Sequence, residues 1–341
     1  MKYRHEWQSR LVYGVIVMTV AGLIFSGCPT VQAQTRLTPV MASSVSTSWT
    51  VTLGPAVAQQ KGYWRQENLD VKLSVVSPST AHTAAFAGGS FQFTINLNAD
   101  VMVRAAAAGA NIYAITGSSN QNQYVLFAKQ GIKTLADLKG KKIAIDTPGG
   151  SHDVFAQKAL STVGMSVRDV LLVPVAGTIE VRVNALLAGA TDAAIGSISQ
   201  WPTLRDKGMN LVYRIRDVYP DWQTAVNGVH GDFLQKDPVA VKGFIKGMIR
   251  AFQFMKDPRN EAELLKIAKD AKITVDEQRW GESLKIQNDF WPNDGGMNLK
   301  GMELVLSDER KDGRIPKDYK LEQFIRLKPL EEAQRELGLR P

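Results

Sequence analysis

Short runs of β-branched and aromatic residues alternate along the chain with helical patterns. The first half predicts strands at residues 37–43, 70–76, 91–96 and 111–117. Between them it predicts helices at residues 55–61, 80–87 and 99–108. Strands separated by helix-length connections indicate βαβ units and therefore a largely parallel sheet.

The same alternation begins again after a further strand predicted at residues 123–129. It continues with strands at residues 141–145, 170–175, 192–196 and 210–215 and with a helix that starts at Ser151. Residues after Asp232 are predicted to be mostly helical. We therefore expect an α/β protein with two successive units, each a mostly parallel sheet flanked by helices.

The N-terminus has the pattern of an export signal. Three basic residues precede an uninterrupted apolar run at residues 11–27, and residues 31–33 fit a small-residue cleavage site. We expect residues 1–33 to be removed as a signal peptide and the mature protein to be periplasmic. An uncleaved anchor is an alternative, because the run of 17 residues is at the lower edge of a membrane-spanning helix.

The single cysteine, Cys28, also belongs to this segment. Residues 25–28 resemble a bacterial lipoprotein box, so a lipid anchor on Cys28, with the signal ending before it, is a second alternative. If cleavage follows Ala33 instead, the mature chain has no cysteine. It then has no disulfide framework, thiol catalysis or thiolate metal site.

Charge and motifs narrow the function classes. The net charge of +8 falls to +6 without residues 1–33, which carry three Lys or Arg and one Glu. The charges are scattered, so nucleic-acid binding is disfavoured, and a mild bias toward anionic ligands remains. No hydrolase, zinc-protease, nucleotide or dinucleotide motif occurs, and no two of the four histidines share metal-ligand spacing. We expect no cofactor and no metal.

A glycine pair joins a predicted strand to a predicted helix in the segment "DTPGGSH", residues 146–152. Helix N-termini leave amide groups unpaired and partially positive, and glycines let a ligand approach the backbone closely. A carboxylate or sulfonate would suit such a loop. An ordinary turn and helix cap explains the same residues equally well. The candidate ligand-binding residues here are Thr147, Gly149, Gly150, Ser151 and His152.

Polar residues also follow several other predicted strands. Ligands of open parallel sheets bind outside the carboxyl ends of the strands, so these residues should converge on one crevice. Capping or turn roles are the alternative for each, and the one aromatic side chain among them could form a wall of the crevice. The candidates are Ser46, Thr47, Ser48, Trp49, Asn96, Ser118 and Ser197.

Three stretches in combination carry a family resemblance: "GPAVAQQKGYWRQENLDVKL" (54–73), "VLFAKQGIKTLADLKGKKIAIDTPGGS" (125–151) and "VNALLAGATDAAIGSISQWP" (183–202). The ending "EEAQRELGL" (331–339) is also similar. With them, from about residue 37 onward, the chain resembles the nitrate/sulfonate/taurine class of ABC-transporter solute-binding proteins. That class shares a domain with thiamine-pyrimidine synthases.

The resemblance implies a periplasmic binding protein of the second topological type, in which two lobes close on a small-molecule ligand. It places lobe 1 at residues 34–122 and 223–341 and lobe 2 at residues 123–222. Crossover hinge strands are expected near 123–129 and 213–228. The implied partners are an inner-membrane ABC permease and its ATPase, and we expect a monomer.

The resemblance leaves two questions. Gln92 stands where the family usually has an acidic residue, whereas its second-unit counterpart, Asp192, is present. Alternative functions are a sensor that delivers ligand to a membrane kinase, and a pyrimidine-synthase-like or dehydratase enzyme of the same fold. The synthases carry a cysteine-rich iron motif that this sequence does not have, so a non-catalytic binding protein is the leading hypothesis.

Overall fold

Two five-stranded sheets organise the structure, a computed structural model that describes residues 36–77 and 79–340. The predicted signal segment and Cys28 lie outside these residues. Leu37–Pro341 form one compact unit. Among the described residues, no helix has the length and apolar character needed to cross a membrane.

The first sheet, sheet A, has the strand order β2-β1-β3-β10-β4. Its strands are β1 (Thr38–Ser44), β2 (Leu69–Val75), β3 (Phe93–Asn98), β4 (Ile112–Ser119) and β10 (Ala225–His230). β1 pairs in parallel with β2 and β3, and β10 lies antiparallel between β3 and β4. Four strands therefore run one way and one runs against them.

The second sheet, sheet B, repeats this plan with the order β7-β6-β8-β5-β9. Its strands are β5 (Tyr124–Ala128), β6 (Lys142–Ile145), β7 (Leu171–Pro174), β8 (Ala193–Ser197) and β9 (Asn210–Arg214). β6 is parallel to β7 and β8, and β5 is antiparallel to β8 and β9. The predicted fold class, two α/β units with mostly parallel sheets, is confirmed.

The chain passes from sheet A to sheet B between β4 and β5 and returns between β9 and β10. After each passage it enters the new sheet as the single antiparallel strand. The predicted lobe boundaries at 122/123 and 222/223 concern bodies that move separately, and they stay a prediction.

Twelve helices of the described residues cover the sheets. They are α1 (Trp49–Gln60), α2 (Ser79–Ala87), α3 (Ala99–Ala107), α4 (Ser151–Ser161), α5 (Ile179–Leu187), α6 (Trp201–Asp206), α7 (Gly231–Lys236), α8 (Pro238–Lys256), α9 (Glu261–Asp270), α10 (Trp280–Asn288), α11 (Leu299–Lys311) and α12 (Lys328–Glu336). α4, α5 and α6 pack on sheet B, and most of the C-terminal helices pack on the sheet A side.

One helix begins earlier than predicted. The sequence pattern predicts a helix over residues 55–61. In the structure α1 begins at Trp49, with Ser48 as its N-cap residue, and Pro55 lies inside the helix. Trp49, Val51 and Leu53 are all buried, so tertiary packing extends the helix toward its N-terminus.

Gln92 performs the structural task of the acidic residue it replaces. Its Oε1 accepts a hydrogen bond from the backbone N–H of Met41, at 2.8 Å. In the second unit, Asp192 Oδ2 accepts one from the backbone N–H of Lys142, at 3.0 Å. Each side chain thus ties the start of one central strand to a neighbouring strand. The amide oxygen suffices for this bond, so the departure from the family pattern leaves the architecture intact.

Candidate functional site

A cavity of about 50 Å³ lies where the two sheets approach each other. From the sheet A side it is lined by the loop after β1, by the start of α1 and by the end of β3. From the sheet B side it is lined by β5, by the residue after β6 and by the first turns of α4 and α5. The lining is rich in hydroxyl and amide groups, and it contains one carboxylate, Asp146, and one guanidinium, Arg182.

Four predicted site residues line this cavity: Ser46, Ser48, Asn96 and His152. Ser46 Oγ accepts a hydrogen bond from the Ser48 backbone N–H at 3.0 Å, which shapes the loop before α1. The Ser48 hydroxyl lies 3.1 Å from the hydroxyl of Thr50, which also faces the cavity. Their hydroxyls therefore form one edge of the site.

Asn96 is held in an uncommon backbone conformation, with φ at +54°. Its N–H donates to Asn227 Oδ1 at 3.0 Å, and its Oδ1 accepts from Ser118 Oγ at 2.8 Å. Ser118 is buried behind Asn96 and does not line the cavity. Its hydroxyl therefore positions the Asn96 amide, and residues in such conformations often occur at binding sites.

Other predicted residues lie away from the cavity. Trp49 packs edge-on against Trp280 and Trp291, with ring centroids 5.2 and 6.0 Å apart, so it forms no wall of this site. Thr47 is exposed. The Ser197 hydroxyl lies 3.0 Å from the Ser199 hydroxyl in the turn after β8. Ser197 therefore has the capping role that was the alternative to ligand binding.

The glycine loop before α4 contacts carboxylates of the protein itself. The Gly149 N–H donates to Asp153 Oδ2 at 2.7 Å. A Cβ atom on Gly150 would lie 2.6 Å from both carboxylate oxygens of Asp146. The Ser151 hydroxyl donates to Asp100 of α3, at 2.9 and 3.0 Å from its two oxygens. The positive end of α4 thus already faces three anionic side chains.

Of the predicted site residues in this loop, only His152 lines the cavity, while Thr147, Gly149, Gly150 and Ser151 lie outside the lining. The Thr147 hydroxyl is buried without a hydrogen-bond partner among the described residues. Gly149 is exposed, with φ at +74°, a conformation that favours glycine. Its carbonyl accepts a hydrogen bond from Arg104 of α3 at 3.5 Å.

His152 is 4% exposed and stands edge-on to Tyr124, with ring centroids 4.9 Å apart. Burial and the nearby Arg182 guanidinium lower the pKa of His152 well below its ordinary value, so the ring is neutral at pH 7. Within the described residues neither ring nitrogen has a hydrogen-bond partner. A neutral ring therefore has one donor and one acceptor available to a ligand.

Arg182 is a site residue that the sequence analysis missed. It is 3% exposed, and its Nη1 donates to the carbonyls of Val175 and Gly177 at 3.3 and 2.9 Å. Its Nε is buried without a partner, and no described carboxylate lies within 4.0 Å of the guanidinium. Burial lowers the pKa of Arg182 from its ordinary value. A signal was present, because Arg182 lies four positions before the buried Leu186 on the same helix face.

Asp146 is the second missed residue, although it lies in the quoted glycine loop. Its Oδ1 is buried without a partner among the described residues. Its Oδ2 lies 3.8 Å from His152 Nδ1, and that ring is neutral. The site therefore contains a carboxylate and a guanidinium that are not ion-paired. Elsewhere, the described residues contain no group of three His, Cys, Asp or Glu that could hold a metal ion.

Polar contacts outside the cavity lining also join the two sheet units. Besides the Ser151–Asp100 bond, Lys158 of α4 pairs with Asp308 of α11. A separate pair joins Arg205 of α6 to Glu282 of α10 at 3.0 Å. The two units are thus held together by contacts that do not line the cavity.

Comparison with known proteins was made at the level of families, sequences and structures. A model of the family described as NMT1/THI5 like matches residues 49–262, more than half of the chain. A Brucella abortus (strain 2308) protein, named as a candidate binding protein, is 27% identical over 305 residues, which is 85% of this chain and 92% of the relative.

Two solved structures show the same fold at low identity. The alkanesulfonate-binding protein SsuA from Xanthomonas axonopodis pv. citri, bound to MOPS, has a TM-score of 0.68 and 15% identity, covering 85% of this chain and 98% of that one. The periplasmic nitrate-binding protein NrtA from Synechocystis PCC 6803 has a TM-score of 0.70 and 14% identity, covering 89% and 90%. The two-lobed periplasmic-binding-protein fold is therefore the fold of this chain.

Proposed function

The chain belongs to the NMT1/THI5-like family, and from that premise we propose that it is the extracytoplasmic solute-binding component of an ABC importer. The observation that carries the proposal is the polar cavity between the two sheets, to which both contribute side chains. Ligand sites of α/β folds lie at the carboxyl ends of strands and between domains. The names of similar proteins, which describe sulfonate, nitrate and other binding, support this role.

The solute is a small organic anion such as a sulfonate, taurine, a carboxylate or a nitrate-like ion. Arg182 supplies a buried positive charge with no described carboxylate within 4.0 Å, and Asp146 acts on it only at longer range. Hydroxyl and amide groups of Ser46, Ser48 and Asn96 supply further hydrogen bonds from the opposite side. A cavity of about 50 Å³ accommodates only a few water molecules, so a compact solute fits it best.

The protein works without catalysis, in the periplasm, with an inner-membrane permease and its ATPase as partners. Its lobes, at the boundaries predicted above, close around the solute, and the permease recognises the closed form. The rival synthase chemistry requires a cysteine-rich iron motif, whereas the sequence contains one cysteine, Cys28, in the predicted signal segment. Delivery of ligand to a membrane kinase would use the same site, and a pull-down of membrane partners distinguishes the two.

Thermal-shift screening of the purified mature chain tests this function. Sulfonates, taurine, nitrate, aromatic carboxylates and pyrimidines form the panel. A ligand at 100 times its Kd adds about 2.7 kcal/mol to the free energy of unfolding, which raises the Tm by about 4 °C in a chain of this size. We expect a shift for at least one organic anion.

Two arginine variants show whether such a shift in Tm comes from binding in the cavity. Arg182→Gln should abolish it, because the buried guanidinium is lost. Arg168→Gln, which changes an exposed arginine, should preserve it. The absence of any shift across the panel, or an unchanged shift in Arg182→Gln, would contradict the proposal.

A further inference from the structure

The cavity contains two opposite charges that are not paired with each other. Arg182 and Asp146 both line it, yet no described carboxylate lies within 4.0 Å of the Arg182 nitrogens. The guanidinium is instead fixed by the carbonyls of Val175 and Gly177. Since Arg182 donates to neutral carbonyls only, its positive charge has no counter-charge in the protein at bonding distance.

Asp146 is equally without a cationic partner. No Lys or Arg of the described residues lies within 4.0 Å of its carboxylate, and the neighbouring His152 is neutral because it is buried. The carboxylate packs against Gly150, where any side chain would collide with it. Its Oδ1 is buried without a hydrogen bond among the described residues. Glycine at position 150 therefore leaves room for the carboxylate, whose charge is met only by the longer-range attraction of Arg182.

Unmatched charges in a buried site destabilise a protein, and they persist where a ligand supplies their partners. We propose that the solute is zwitterionic, with an acidic group that binds Arg182 and an ammonium group that binds Asp146. Amino carboxylates and amino sulfonates of a few heavy atoms meet both requirements. This inference rests on the proposed binding function and adds to it a positively charged group on the solute.

The remaining lining suits the uncharged part of such a solute. The neutral His152 ring and the hydroxyls of Ser46 and Ser48 offer hydrogen bonds without a net charge. A purely anionic solute would satisfy Arg182 but would leave the Asp146 carboxylate desolvated and unpaired. Such a solute should therefore bind much more weakly than its amino counterpart.

Isothermal titration with matched pairs of solutes tests the inference. The pairs are taurine against ethanesulfonate and β-alanine against propanoate, and ethylamine serves as the cation alone. At least one zwitterion should bind about 100-fold more tightly than its partner without the amino group, the loss typical of a buried charge left unpaired. Ethylamine should bind no better than that partner does.

The outcomes separate this inference from the proposed function. If ethanesulfonate bound as tightly as taurine, or propanoate as tightly as β-alanine, or more tightly, the zwitterion inference would be overturned. The proposed function, a binding protein for anions, would remain. Ethylamine binding as tightly as taurine would refute the role of Arg182. No binding by any solute in these pairs refutes the zwitterion inference, and if the broader panel also fails, the proposed function fails with it.

A variant of nearly the same shape tests the role of Asp146 directly. Asp146→Asn removes the negative charge and keeps the shape, so the preference for taurine over ethanesulfonate should fall from about 100-fold to below about 10-fold. Asp318→Asn, which changes an exposed carboxylate outside the cavity, should keep the preference of the native chain. The Tm of each unliganded variant confirms folding, and a retained preference in folded Asp146→Asn would overturn the inference.

Discussion

Replacing Ser151 with alanine should weaken solute binding although Ser151 does not line the cavity. Its hydroxyl, at the start of α4, donates to both oxygens of Asp100 on α3, at 2.9 and 3.0 Å. The two helices belong to different sheet units, so this bond exists only while the units are together. In the open form of the proposed closure, water solvates both groups, so Ser151→Ala should destabilise only the closed form.

The magnitude follows from the partners of Asp100. A hydrogen bond to a charged group contributes about 1.5–3 kcal/mol. Arg104 still donates to the same carboxylate at 3.2 Å in the variant, so Asp100 is not left unpaired. We therefore take about 2 kcal/mol, which corresponds to about a 30-fold loss of affinity when the unliganded protein is mostly open.

Titration calorimetry with the tightest-binding solute of the panel measures this loss, and small-angle X-ray scattering of the unliganded native chain checks that it is mostly open, as the magnitude assumes. Ser161→Ala is the matched control on the same helix, because the Ser161 hydroxyl donates only to the carbonyl of Lys158 within α4. Equal affinity for Ser151→Ala and Ser161→Ala, in a protein that is open without ligand, would refute the reasoning about closure.

Three further predictions address packing and pH. Gly150→Ala should reduce solute affinity at least tenfold by calorimetry, because the new Cβ displaces Asp146, whereas Gly131→Ala, whose Cβ would meet nothing within 4 Å, should not. Trp49→Ala should lower the unfolding free energy by about 3–5 kcal/mol and the Tm by about 5–8 °C in calorimetric scans, because a buried aromatic cluster is lost. Burial lowers the pKa of His82 to about 4, although a hydrogen bond from its ring to the Ser43 backbone raises it. As the pH falls from 6.5 to 4, only the unfolded chain therefore takes up this proton, and stability is lost. Urea unfolding of His82→Gln should therefore show a shallower loss over that window, by up to about 3 kcal/mol, and parallel curves would contradict this.

The strands could be predicted from the sequence because the apolar and polar positions along a strand follow directly from which side chains are buried. β1 and β2 begin and end within one residue of the predicted bounds, since their apolar runs are interrupted by turn residues on both sides. The start of α1 could not be predicted, because Ser48 and Trp49 belong to a run of hydroxyl and β-branched residues with no helical pattern. The burial of Trp49 against Trp280 and Trp291, far along the chain, determines that start.

The site was partly predictable for a similar reason. Ser46 and Ser48 follow β1, Asn96 lies near the end of β3, and the carboxyl ends of parallel strands meet at one edge, so their convergence follows from topology. The signal from Arg182, its spacing of four from Leu186, was weaker, because a single arginine in a helix usually faces solvent. Asp146 was overlooked because its importance depends on having no cation nearby, and that is a property of the fold.

The contacts outside the cavity and those within it imply that closure and selectivity are separable. The positive end of α4 faces Asp100, Asp146 and Asp153, so its dipole stabilises the protein's own anions. In the proposed function, Arg182 therefore binds the anionic group of the solute. Ser151 influences the closed form without touching the cavity, so its loss should weaken every solute by the same factor. Asp146 faces the cavity, so its loss should change the order in which solutes bind. A ligand shifts the equilibrium only by its differential affinity for the closed form. In the proposed function, contacts outside the cavity therefore determine how much binding free energy is needed to close the lobes. Contacts within the cavity determine which solute supplies that free energy.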